Sequence, residues 1–130
     1  MPTTVLVVDD EESVLGFYET ALTESGFVVL TAIDGLEAMR ELQQSKIDVV
    51  IIDILMPRRE GLETITAIRE EFPSIGIIAI SGGGIIAAGT YLSLADRFGA
   101  HRCFEKPVPI RTLVDAINEL SINKPETAQE

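Results

Sequence analysis

The chain has one cysteine, one histidine, no tryptophan, and only 10 basic residues against 21 acidic ones in 130. Each scarcity removes a class of protein. Cys103 alone cannot close an intrachain disulfide, and no cluster of cysteine and histidine is present to build a zinc site. His101 falls on or beside the last β-branched run, where a surface or strand-edge role is its default, and no serine, histidine and aspartate triad can be read. A formal charge of −11 sets the surface field against nucleic acid and anionic membrane, so direct binding to either is not expected. No apolar run approaches membrane-spanning length, and Met1 to Val8 meets Asp9 and Asp10 without a basic flank. A cytoplasmic protein is the expectation, neither secreted nor inserted in a membrane.

What is present is an apolar fraction of 46%, enough for one domain to bury a core without a disulfide or structural metal. Short β-branched runs alternate with segments of helical period, the pattern of a parallel sheet wrapped by helices. The runs Val5 to Val8, Phe27 to Thr31, Val49 to Ile52, Ile75 to Ile80 and Arg102 to Phe104 read as strands. The third and fourth read as the most deeply buried. Helical stripes follow as Val14, Leu15, Tyr18, Ala21 and Leu22, then Ala38, Met39 and Leu42, then Leu62, Ile65, Ile68 and Phe72, and last Ile110, Leu113, Val114 and Ile117. Gly26 suits a left-handed helix end, Asp34 with Glu37 makes a capping box, and Pro73 stops a helix. Gly82, Gly83 and Gly84 open a loop, and a short helix interrupted by Gly89 is expected before Phe98. The domain is expected over residues 1–121, with 122–130, which includes Pro125, as a polar tail or the start of a linker.

In an open parallel sheet, ligands bind at the carboxyl ends of the strands, next to the point where strand order reverses. Here the first strand runs into Asp9, Asp10, Glu11 and Glu12, the third into Asp53 and then Ile54, Leu55, Met56 and Pro57. The fourth ends in Ser81 and Gly82, and the fifth in Lys106 and Pro107. Each has a bland reading. Asp10 could cap the first helix, Asp53 could bond its own turn, Ser81 and Gly82 could form a plain turn, and Lys106 could be a solvated strand end. Together they are harder to dismiss. Carboxylates gathered at a sheet end repel one another and stay ionised only with positive charge among them. Three carboxylates and one ammonium leave two negative charges over, which one Mg²⁺ cancels, and an all-oxygen site suits that hard ion. A carboxylate beside Mg²⁺ and lysine can attack phosphorus and form an aspartyl phosphate.

This ordered set resembles the response regulator receiver domain, the phosphoacceptor module of two-component signalling. The likeness covers residues 3 to about 121. It implies an α/β fold of the flavodoxin-like kind, with a doubly wound five-stranded parallel sheet in order 2-1-3-4-5 flanked by five helices. It implies Asp53 as phosphoacceptor, with Asp9, Asp10, Asp53 and the backbone carbonyl of Leu55 holding Mg²⁺. Lys106 would pair with the phosphoryl group, the Ser81 hydroxyl would move toward it, and Gly82 would leave it room. The expected partners are a histidine kinase or histidine phosphotransfer protein, and a downstream protein target. A homodimer through the face of the fourth and fifth helices is also compatible. Such a chain is not a conventional enzyme, although it assists its own phosphorylation and the hydrolysis of the aspartyl phosphate.

Two departures stand out. The family's usual Tyr or Phe three places before the lysine is Cys103 here, and Phe104 one place on should face the other side of its strand. The segment from Ser81 to Gly99 is longer than usual, which shifts the expected relay onto Gly82 to Gly84 and makes Ile85 and Ile86 candidates for a contact surface. The common Phe after Lys106 and Pro107 is Val108, a milder change. A haloacid-dehalogenase-like phosphatase would share the Asp, Mg²⁺, hydroxyl and Lys, but expects a second Asp where Leu55 stands and a cap that 130 residues barely allow. A receiver fold kept as a phosphorylation-independent interaction domain is the third reading. No output domain is read after residue 121, and if the chain is the whole protein its output is expected to pass through another protein.

Overall fold

The alternation of apolar runs and amphipathic stripes becomes five strands and four helices among the residues described by the structure, a computed structural model covering 2–54, 60–82 and 97–122. In chain order these are β1 (Thr4–Val8), α1 (Glu12–Glu24), β2 (Val28–Ala32), α2 (Gly35–Gln44), β3 (Val49–Asp53), α3 (Glu60–Glu71), β4 (Gly76–Ser81), β5 (Arg102–Glu105) and α4 (Ile110–Ile122). The strands form one sheet in the order β2-β1-β3-β4-β5, and every pairing is parallel. This is the expected doubly wound sheet. Leu55, Met56 and Pro57, the segment from Gly83 through Ile85, Ile86 and Gly89, and the tail with Pro125 lie outside the described residues.

Strand ends fall within a residue or two of the expected ones, and the shifts have local causes. Phe27 belongs to the helix-to-strand turn, where its N–H donates to the Leu22 carbonyl and its ring enters the core, so β2 opens at Val28. The Ile75 N–H is likewise taken by the Phe72 carbonyl, and β4 opens at Gly76. Gly26 has φ +101, a left-handed conformation that a Cβ would oppose, and it turns the chain from α1 into β2.

Alternation along the strands builds two cores, one per face. Leu6, Val50, Ile52 and Ile77 face α2 and α3, meeting Ala38, Leu42, Leu62, Ile65 and Ile68. Val5, Val7, Ile51 and Ile78 face α1 and α4, meeting Leu15, Tyr18, Leu22, Leu113 and Ile117. The central strands β3 and β4 are buried almost throughout, whereas β2 and β5, at the edges, are half exposed. Cys103 packs with the first cluster and Phe104 with the second, so the two residues point to opposite faces. Phe104 therefore does not take the place of a ring at position 103.

Two local signals make bonds that the sequence reading did not supply. Asp34 caps α2 by accepting from the Glu37 N–H at 2.8 Å, but Glu37 Oε1 accepts from the Ile33 N–H, one residue earlier than in a standard capping box. His101 takes the strand-edge position expected of it, beside β5, and is tied in by its ring. Its Nδ1 accepts from the Ile77 N–H at 2.9 Å while its own N–H donates to the Ile77 carbonyl, which continues the β4–β5 pairing through a side chain. No helix among the described residues is long and apolar enough to cross a membrane.

Candidate functional site

Because all the strands are parallel, their carboxyl ends share one edge of the sheet. Register pairs Val8 with Ile52, Asp53 with Ile80 and Ser81 with Glu105, so Asp9, Asp53, Ser81 and Lys106 are each at or just past an end on that edge. Lys106 is held there by its backbone, whose N–H donates to the Ser81 carbonyl at 2.8 Å. Its ammonium donates to Asp53 Oδ2 at 2.9 Å and lies 4.0 Å from Asp9 Oδ2. Asp9 is 2% exposed, with its N–H on the Ala32 carbonyl and its Oδ1 accepting from the Glu11 N–H at 2.9 Å. The buried carboxylate thus anchors the entry to α1. Asp10, for which a capping role was one reading, does not cap the helix: Glu11 holds the cap position without a side-chain bond.

The structure brings Asp9, Asp53 and Lys106 together. Asp10 is exposed on the rim, and Leu55 lies outside the described residues. Among the described residues no group of three acidic, histidine or cysteine side chains is arranged to hold a metal. Ser81 is fully buried and its hydroxyl donates to the Gly82 carbonyl at 3.2 Å. Gly82 is small for a reason that sequence alone did not supply: a Cβ there would lie 3.3 Å from Lys106 Cδ and press on the lysine stem. Two residues the sequence reading left in the background also border the site. Tyr18, read only as part of an apolar stripe, lines a groove of about 560 Å³ with Gly82 and Lys106. Gly61, in the first turn of α3, sits against the backbone of Asp53 and Ile54. A tyrosine in an apolar stripe was the available signal for the first, since its hydroxyl must find a partner somewhere.

The electrostatics follow from two acids sharing one ammonium. Burial pushes the Asp9 carboxyl up from 3.8 to about 6; the Glu11 N–H and Lys106 pull it down, and the neighbouring Asp53 adds to the rise. Burial works against the Lys106 ammonium, but the hydrogen bond and charge of Asp53, with Asp9 and Tyr18 behind them, outweigh it and raise its pKa. The site therefore has an ammonium that stays charged and a buried carboxylate that needs more positive charge than Lys106 provides. Hard oxygen donors with that deficit fit Mg²⁺.

A pH prediction follows. The folded chain binds the Asp9 proton more tightly than the unfolded chain, so stability in metal-free buffer is highest below pH 3.8 as far as this group is concerned, and falls as pH rises to about 6. Asp9→Asn keeps an oxygen for the Glu11 N–H and has nothing to ionise. Its thermal midpoint is expected to exceed that of the wild type at pH 7, by an amount worth roughly 1–3 kcal/mol, and to lack the decline between pH 4 and 6. Parallel melting curves across pH check this.

The fold agrees with what sequence and structure comparison finds. Residues 5–118 match the family model of the response regulator receiver domain. The chain is 33% identical over 129 residues to the transcriptional regulatory protein PrrA of Mycobacterium bovis, covering 95% of this chain and 52% of that one. It therefore spans about half the length of this curated relative. It is 31% identical to protein PilG of Pseudomonas aeruginosa, covering 88% of this chain and 93% of that one. The crystal structure of a response regulator receiver domain protein from Clostridium thermocellum superposes with a TM-score of 0.85 at 32% identity, covering 93% of this chain and 95% of that one. With a family match over nearly its whole length and the sheet order to go with it, the chain belongs to the response regulator receiver domain family.

Proposed function

We propose that Asp53 takes a phosphoryl group from a phosphohistidine donor, with Mg²⁺ as cofactor, and that the aspartyl phosphate switches binding to a protein target or is passed on. The observation that carries this is the Lys106 ammonium at 2.9 Å from Asp53 Oδ2, with the Asp9 carboxylate buried beside the pair. An Asp53 oxygen attacks phosphorus, the bond from phosphorus to the donor imidazole breaks, and the ring nitrogen keeps the electron pair. Lys106 neutralises Asp53 before the reaction and stabilises the phosphoryl oxygens during and after it. The Ser81 hydroxyl, on the Gly82 carbonyl before reaction, turns to a phosphoryl oxygen afterwards. Gly82 keeps the Lys106 stem free to follow.

Asp9, Asp10, Asp53 and the Leu55 carbonyl would hold Mg²⁺. Bound there, the ion supplies the positive charge that the acids and the phosphoryl oxygens both require. With Cys103 packed among aliphatic residues on the α2 and α3 side, no large ring at this position carries the signal. A histidine kinase or histidine phosphotransfer protein is the donor this chemistry calls for, and the natural setting is cytoplasmic.

Intact mass after incubation with acetyl phosphate tests the metal assignment. One phosphoryl group is expected with Mg²⁺ and none with a chelator. The Asp9→Asn, Asp10→Asn double variant is expected to label more slowly by at least the roughly 10- to 100-fold that follows from weakening a metal site's supporting groups. Labelling of the double variant at the wild-type rate would show that these acids serve only the entry to α1.

A further inference from the structure

Tyr18 borders the site, and the phosphoacceptor reading leaves it without a task. It lies in the second turn of α1, 7% exposed, with its ring in the core between α1 and α4 and edge-on to Phe17 at a centroid distance of 5.4 Å. Its hydroxyl has no hydrogen-bond partner among the described residues. Buried hydroxyls are rarely left so, because an unmade bond costs the desolvation of the group. The side chain lines the groove that also holds Gly82, Lys106, Pro107 and Val108, with Val14 and Phe17 on the α1 side. That groove joins the Lys106 ammonium and the Ser13 and Tyr18 side chains with the apolar Val14, Phe17, Pro107 and Val108.

We infer that Tyr18 orients the incoming phosphoryl group, its hydroxyl donating a hydrogen bond to a phosphoryl oxygen as the donor enters beside Lys106. This rests on the reading of Asp53 as phosphoacceptor. The ligand class follows from the walls: a phosphoryl anion meets Lys106 and the Tyr18 hydroxyl, while a flat, weakly polar carrier such as an imidazole lies along Val14, Phe17 and Val108. Burial raises the pKa of the phenol, Lys106 lowers it, and Asp9 and Asp53 raise it, with a net rise that keeps the O–H intact as a donor at neutral pH. An aliphatic residue would fill the same core position, so packing does not require the hydroxyl.

The test uses monophosphoimidazole, the small-molecule counterpart of phosphohistidine, in a Tyr91→Phe background in which Tyr18 is the only tyrosine left. Tyr18→Phe keeps the ring and removes the donor, so the thermal midpoint should hold while the second-order rate of labelling falls about tenfold, the scale of one hydrogen bond to a charged group. Tyr18 emission in the parent background should change on labelling, which a residue that only packs would not show. Labelling of Tyr18→Phe at the parent rate, or Tyr18 emission indifferent to labelling, overturns the inference. A parent protein that takes no label at all overturns the assignment of Asp53 instead.

Discussion

Asp53→Asn is expected to abolish phosphoryl uptake completely while leaving the fold in place. The amide is close to isosteric and can still meet Lys106, so far-UV circular dichroism should not change, but it offers no anionic oxygen to attack phosphorus. A second consequence separates this from a general loss of integrity. The charge of Asp53 is one of the causes that raise the Asp9 pKa, so its removal should bring the Asp9 carboxyl part of the way back toward 3.8. The pH window over which stability declines should narrow accordingly. Intact mass for uptake and melting curves against pH for the carboxyl are the two measurements. Labelling of the Asn variant to the wild-type extent would mean that another residue carries the phosphoryl group.

Gly61→Ala is expected to have the largest effect on stability of any substitution that adds a single methyl group beside the site. Its Cβ would lie 2.6 Å from Ile54 Cα and 2.9 Å from the Asp53 carbonyl oxygen, both backbone atoms that cannot swing aside. Either α3 lifts away from the sheet or the end of β3 shifts, at a cost of about 1–3 kcal/mol. A shift of β3 also moves Asp53 relative to Lys106, so labelling should slow along with the fall in thermal midpoint. Gly16 provides the contrast. It sits in the middle of α1 with nothing within 4 Å of its would-be Cβ, and Gly16→Ala should stabilise by up to about 1 kcal/mol through helix propensity alone. Thermal melts of the two variants should therefore move in opposite directions, and a neutral Gly61→Ala would contradict the close approach of α3 to β3.

The strands and helical stripes were legible in the sequence because their patterns depend only on burial, which Val49–Asp53 and Gly76–Ser81 express almost without interruption, whereas the sheet order came from the resemblance to the receiver family. The acids and the lysine at the strand ends were legible because parallel strands bring sequence-distant ends to one edge. What sequence could not resolve is which oxygen meets which donor. Asp9 and Asp10 are equivalent as letters, yet one is buried, anchors the Glu11 N–H and shares Lys106, while the other is exposed. Tyr18 and Gly61 were missed for a related reason. Both look like ordinary helix residues until α1 and α3 are set against particular strand ends. His101 sits at the strand edge as expected, but its bond to the Ile77 N–H was not legible, because a side chain that takes over a backbone pairing leaves no periodic trace.

The central claim is that this edge of the sheet phosphorylates one residue, Asp53, out of several adjacent acids. Borohydride reduces an acyl phosphate to an alcohol, so an aspartyl phosphate becomes homoserine and is fixed in place for peptide sequencing by mass spectrometry. After labelling with acetyl phosphate and Mg²⁺, homoserine is expected at position 53 and nowhere else. Homoserine at position 9 or 10 with Asp53 intact, or no homoserine in a chain that has gained phosphoryl mass, would contradict it.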